Sequence, residues 1–202
     1  MRIALLPAIV AAVAAAGQLA GCGSSPSGSP SASPSPSPSS SATASGSASP
    51  SAAANRALTV AMSATDMPAP ASSYTQSSDG LLGGTPNTDS RVFTSSDGSV
   101  KVEVDVAVDT SALAAGGDYA AFSTAAAKQV PNQQTTSTPA IGSKANECVG
   151  TDAGNLSTVS IAFLSGSVIA VVTEKASSGT VDPALAESIA TAQVAKISSA
   201  GL

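Results

Sequence analysis

From Gly23 to Ala54 the chain is built from Ser, Pro, Ala, Gly and Thr alone, with runs such as Ser33-Pro34-Ser35-Pro36-Ser37-Pro38. A stretch with no charge, aromatic ring or branched aliphatic side chain buries too little apolar surface to offset the entropy lost on ordering it. Its prolines bias it toward polyproline II at about 3.1 Å per residue, so roughly 30 such residues reach on the order of 90 Å when extended. Any core must therefore come from Asn55 to Leu202. Removing the first 54 of 202 residues leaves 148, the size of one domain. The run itself reads either as a spacer, its hydroxyls open to O-linked sugars, or as a passive linker.

The whole chain is 43% apolar but only 2% aromatic and 10% charged, with no Trp and no His. Without His it cannot build a Ser-His-Asp or Cys-His nucleophile, an imidazole metal site or an imidazole proton shuttle. A formal charge of -5 argues against nucleic acid, which calls for a basic footprint.

The N-terminus reads as an address. Met1-Arg2 is a short positive start, and Ile3 to Ala16 is apolar without a charge. That run is short for a transmembrane helix and has the length of a signal-peptide core. Leu19-Ala20-Gly21-Cys22 follows and resembles the lipobox of bacterial lipoproteins. The resemblance implies cleavage after Gly21 and a diacylglycerol thioether on Cys22, with acylation of the new N-terminus. Two or three acyl chains anchor stably where one is marginal. An ordinary signal peptide with an incidental Cys22 is the competing reading. The expected organisation is a lipoprotein signal peptide over residues 1–21, lipidated Cys22 and a disordered linker over 22–54, and one domain over 55–202. Cleavage removes Arg2, leaving 7 of the 8 basic residues against 13 acidic, a net -6. The domain is expected at the outer face of the cytoplasmic membrane, held off it by the linker.

Within the domain, Val100 to Val108 alternates, with valines at the even positions and Lys101, Glu103, Asp105 and Ala107 between them. Period two predicts a strand with one wet face. Arg91 to Ser95 reads as a preceding strand and Ser96-Asp97-Gly98 as the turn. A helix is expected from a cap at Asp118 to Val130, with Tyr119, Phe122, Ala126 and Val130 on its apolar face and Pro131 ending it. Asn132 to Pro139 reads as a polar loop and Asn155 to Leu164 as a strand. A tight turn at Gly166 leads into Val168 to Thr173, apolar on both faces and hence central or helix-covered. Asp182-Pro183 is the cap and first residue of a closing helix to Ser199, with Gly201 beyond it. The sum is an α+β domain, an antiparallel sheet covered on one face by helices.

The stretch Gly166-Ser167-Val168-Ile169-Ala170-Val171, followed by Ala186, Ile189-Ala190, Gln193 and Lys196-Ile197, resembles the extracellular sensor-like domain of actinobacterial receptor Ser/Thr kinases and related lipoproteins. Leu58 and then Thr65-Asp66-Met67-Pro68 are similar to that family's opening helix and acidic-hydrophobic-Pro turn. The resemblance implies a mixed α/β domain with a ligand cleft and no catalytic residues. Members usually carry disulfide cysteines in the domain, where this chain has Cys148 alone.

Four groups remain as candidates for chemistry. Cys148 has no second thiol in the domain and reads as a small buried hydrophobe, or else as a free thiol or intermolecular bridge. Glu103 and Asp105 share a strand face, and paired carboxylates can cleave glycosidic bonds, but a solvated sheet face explains them as well. Asp97, Asp152 and Asn155 fall in turns and could ligate calcium, though without calcium-loop spacing. Gly80-Leu81-Leu82-Gly83-Gly84 is glycine-rich without the Lys and strand-helix setting of a phosphate loop. The expectation is a non-enzymatic, membrane-anchored binding or sensor-like domain. Its ligand would be small or apolar, with no cofactor or metal. A structural or interaction partner of another envelope protein is the alternative.

Overall fold

The computed structural model describes residues 51–80 and 87–202, apart from the side chains of 51–55 and Asp79. Residues 1–50, with Cys22 and most of the linker, and the leucine-glycine segment 81–84 lie outside the described residues.

In chain order the elements are α1 (Ser51–Val60), β1 (Thr75–Gly80), β2 (Thr88–Thr94), β3 (Val100–Val108), α2 (Ala112–Lys128), β4 (Asn132–Ser137), β5 (Lys144–Thr151), β6 (Ser157–Ser165), β7 (Val168–Ala176) and α3 (Pro183–Ser199). Two short 3₁₀ turns, Ala64–Asp66 and Ala71–Ser73, lie between α1 and β1. The strands form one sheet in the order β1-β2-β3-β7-β6-β5-β4. Every neighbouring pair is antiparallel. The α+β class and the antiparallel sheet are as the sequence implies. β7, apolar at successive positions, is the central strand.

The pleat divides the strand residues between two cores. Val102, Val104 and Val106 of β3, Val159, Ile161 and Phe163 of β6, and Val168, Ala170 and Val172 of β7 meet α1 and α3 in the main core. Each large apolar side chain buried here stabilises by about 1.5–3 kcal/mol. Ala162, Leu164, Ile169 and Val171 point the other way and meet Ala115, Tyr119, Phe122 and Ala126 of α2. Helices thus cover both faces, not one. The reason is topological: β3 lies mid-sheet and β4 at the far edge, so α2 carries the chain across β7, β6 and β5 and packs on them.

The other differences from expectation have local causes. α2 starts at Ala112, where Ser111 Oγ accepts from Ala114 N at 3.2 Å, and Asp118 is an exposed mid-helix residue without a capping role. The helix runs through Gly116-Gly117, each about 1 kcal/mol less favourable than Ala, because the Ser cap and the packed face offset them. Asn132 to Ser137 is not a loop. It is edge strand β4, exposed throughout, so it shows no hydrophobic period. β1 and β5 also escape the pattern, β1 because it is a polar edge strand and β5 because Glu147 occupies an inward position. β6 starts at Ser157, two residues late, because Asn155 takes a left-handed turn conformation with φ 61°. α3 begins and ends where its Asp-Pro cap and Ser199 place it, and Asp182 Oδ1 accepts from Ala184 N at 3.1 Å.

Two side chains tie the end of α1 to the rest. Gln193 of α3 is fully buried. Its Nε2 donates to Val60 O at 2.7 Å and its Oε1 accepts from Met62 N at 2.9 Å, so both backbone groups beyond the helix are satisfied. From β2, Arg91 donates to Leu58 O at 2.9 Å, to Met62 O at 3.0 Å and to buried Asp89 at 2.9 Å. A cation at a helix C-terminus also complements its dipole.

Candidate functional site

The segment between β4 and β5 is pinned to the sheet by several contacts. Ile141 is anchored in the main core, and its N–H donates to Pro139 O at 2.9 Å. Gly142 follows with φ +61°, and a Cβ there would run into Leu164 O. Ser143 then donates to that same Leu164 carbonyl through both its N–H, at 2.8 Å, and its Oγ, at 3.1 Å. This pinned wall faces the middle of α2 across an open groove of about 610 Å³. Tyr119 and Ser123 line the helix side, Thr138 to Ser143 the wall, and Lys144 to Asn146 the floor.

Tyr119 is held in place. Its hydroxyl donates to Ala162 O at 3.2 Å, and burial raises its phenol above the ordinary value. Lys144 Nζ lies 6.0 Å from the centre of the Tyr119 ring, within reach of a weak cation–π contact. Lys144 is exposed, and it is the one charged residue among those lining the groove. Pro139, Ala140, Ile141 and the ring make the lining largely apolar, with the hydroxyls of Ser123 and Thr138 and the Asn146 amide as polar points. Such a surface suits binding and orientation of a small molecule.

The sequence candidates are not gathered here. Asp105 and Glu103 lie on the α2 side of β3, and neither lines the groove. Their face is not solvated as the alternation suggested: Asp105 is only 5% exposed and Ala107 8%. Burial first, and the neighbouring Glu103 second, push the Asp105 carboxyl up to about 7. Ser90 of β2 donates to Glu103 at 3.4 Å. Cys148 sits in β5, 2% exposed, with Asn146 donating to its sulfur at 3.6 Å, and burial raises its thiol.

Asp97 and Asp152 are occupied by their own turns. Asp97 Oδ1 accepts from Ser95 at 2.6 Å and from Ser99 N at 3.0 Å, and these bonds hold its carboxyl at about 2. Asp152 Oδ1 accepts from Gly154 N and Leu156 N, while its Oδ2 pairs with Lys175 at 3.3 Å. Asn155 follows in the same turn. Among the described residues no group of three or more His, Cys, Asp or Glu is placed to hold a metal ion.

Sequence reasoning missed the groove. Thr138 to Asn146 offers no motif, and the one signal present was the pairing of a Pro and a Gly, Pro139 and Gly142, three residues apart on either side of a lone apolar Ile141.

The fold and groove define an α+β domain with a seven-stranded antiparallel sheet and an open cleft between one helix and the sheet edge. No protein-family model matches this chain, and no curated protein sequence matches it. Among solved structures it is similar to the extracellular domain of PknH from Mycobacterium tuberculosis, with a TM-score of 0.38 and 14% identity over 55% of this chain. The match covers 64% of that domain, less than two thirds of its length, and no residue role is carried over from it.

Proposed function

We propose that this protein is a lipid-anchored, extracytoplasmic binding domain, without catalysis of its own, that holds a small ligand in the groove between α2 and the Thr138–Asn146 segment. The observation that carries the reading is the groove: a fixed wall, an immobilised aromatic ring and one cation around about 610 Å³ of open space. The N-terminal pattern supports the location, since Leu19-Ala20-Gly21-Cys22 follows an apolar run of signal-peptide length. α1, which continues directly from the linker composition, packs on β2 and β3 against one face, whereas the groove opens on the other face beside β5.

Full chain incubated with envelope extract and washed should retain small molecules detectable by mass spectrometry. An Ala140→Trp variant, which fills the mouth at an exposed position, should lose them. Equal retention by both proteins overturns the reading. The anchor has its own test. Cys22→Ser should move the protein from the membrane fraction to the medium, and a variant still in the membrane would refute lipidation.

A second reading, an interaction module for another envelope protein, is favoured by β4. This edge strand is exposed over its whole length and leaves one side of its backbone without a neighbouring strand among the described residues. An added strand from a partner would pair there. The bulge between Gln133 and Thr135 interrupts the register and weakens that option.

A further inference from the structure

We infer that the groove selects small anionic ligands with a flat or apolar body, the anion meeting Lys144 and the body lying against Tyr119 and Pro139. The inference rests on the groove reading above and adds the ligand class.

Three observations carry it. First, the lining contains no carboxylate: its one charge is Lys144, in a chain that is negative overall. The nearest acid in sequence, Glu147, belongs to the opposite face of β5, where it is buried and accepts from Ser137 Oγ at 2.9 Å. On α2 the acid is Asp118, exposed and interacting with Asp109 at the end of β3, away from the groove. Second, Lys144 makes no ion pair among the described residues. Its contact is the face of the Tyr119 ring, which leaves ammonium protons free to donate. Third, several neutral donors of the lining are already committed, which leaves Lys144, with the Ser123 and Thr138 hydroxyls, to meet an anion. Tyr119 OH donates to Ala162 O, Ser143 donates twice to Leu164 O, and Ile141 N donates to Pro139 O. A cation would meet the Lys144 charge and no counter-charge among the lining residues. An anion finds one charged donor beside an apolar wall.

The test uses two dyes with the same kind of aromatic body. 8-Anilinonaphthalene-1-sulfonate carries a negative charge, and N-phenyl-1-naphthylamine does not. Both are titrated by fluorescence into the full chain, residues 1–50 being identical in every variant so that dye held there cancels. Lys144→Gln should weaken the sulfonate dye roughly three- to fivefold, the scale of an exposed ion pair. The neutral dye should be unchanged, and Lys144→Arg should restore the sulfonate. Ala140→Trp should weaken both dyes. If Lys144→Gln leaves the sulfonate unchanged while Ala140→Trp weakens both, the anionic class is overturned and the groove stands. If Ala140→Trp changes neither dye, the groove reading falls and the inference falls with it.

Discussion

Asp105 makes a pH dependence that runs opposite to ordinary acid denaturation. It lies mid-strand in β3, paired across to Ser90 and Val171, with one carboxylate oxygen buried and without a partner. Burial and the Glu103 charge raise its carboxyl from 3.8 to about 7. In the folded protein the neutral acid is favoured. Between pH 4 and 7 the fold therefore keeps a proton that the unfolded chain has released. Stability must fall as pH rises through that window and level off above it. Taken alone, the displacement corresponds to roughly 4 kcal/mol. Buried Glu174 and half-buried Asp109, also raised by burial, add to the same slope. Asp66, Asp97 and Asp152 are lowered and act only below the window. Urea unfolding of the full chain at pH 5, 6, 7 and 8 measures the effect. The wild type should lose stability across the series. Asp105→Asn should exceed it by about 1–2 kcal/mol at pH 5 and by about 3–4 kcal/mol at pH 8, a widening on the order of 1 M urea in midpoint. Wild-type stability that rises from pH 5 to 8, or an Asn variant with the wild-type slope, would refute the reasoning.

Other outcomes follow from single contacts. Gln193→Leu should cost about 2–4 kcal/mol in urea unfolding, because it leaves Met62 N–H and Val60 C=O buried and unpaired. Gly150→Ala places a methyl against the backbone carbonyl of Asn132. It should strip hydrogen-exchange protection from the β4–β5 amide bonds while β6 and β7 stay protected. Cys148 should react with a thiol reagent in the native state only at the rate of local opening and freely in denaturant, since it is both buried and raised. Fast native labelling would show that β5 is looser than described.

The parts of the fold legible in the sequence are those where a local signal and a long-range one agree. β3 shows period two because its valines enter the main core, and α3 is bracketed by Asp182-Pro183 and Gly201. Where tertiary pairing supplies the order, the sequence is silent. β4 has no inward residue to mark it, and it is a strand because β5 offers it hydrogen bonds. The face of β3 expected to be wet is buried for a related reason. Asp105 is polar, and its burial follows from what crosses the sheet rather than from its own strand. The groove was the least legible feature. Its wall depends on one carbonyl, Leu164 O, more than twenty residues from Gly142, and its floor on a strand that carried no pattern.

The claim that binding occurs between α2 and the β4–β5 segment is tested most directly by amide chemical shifts of the ¹⁵N-labelled full chain during titration with the anionic dye. The account predicts that the amides of Tyr119, Ser123, Ala140 and Ser143 to Asn146 move together with one dissociation constant. Shifts confined to the outer edge of β4 or to the α1–α3 face, with these amides unmoved, would contradict it.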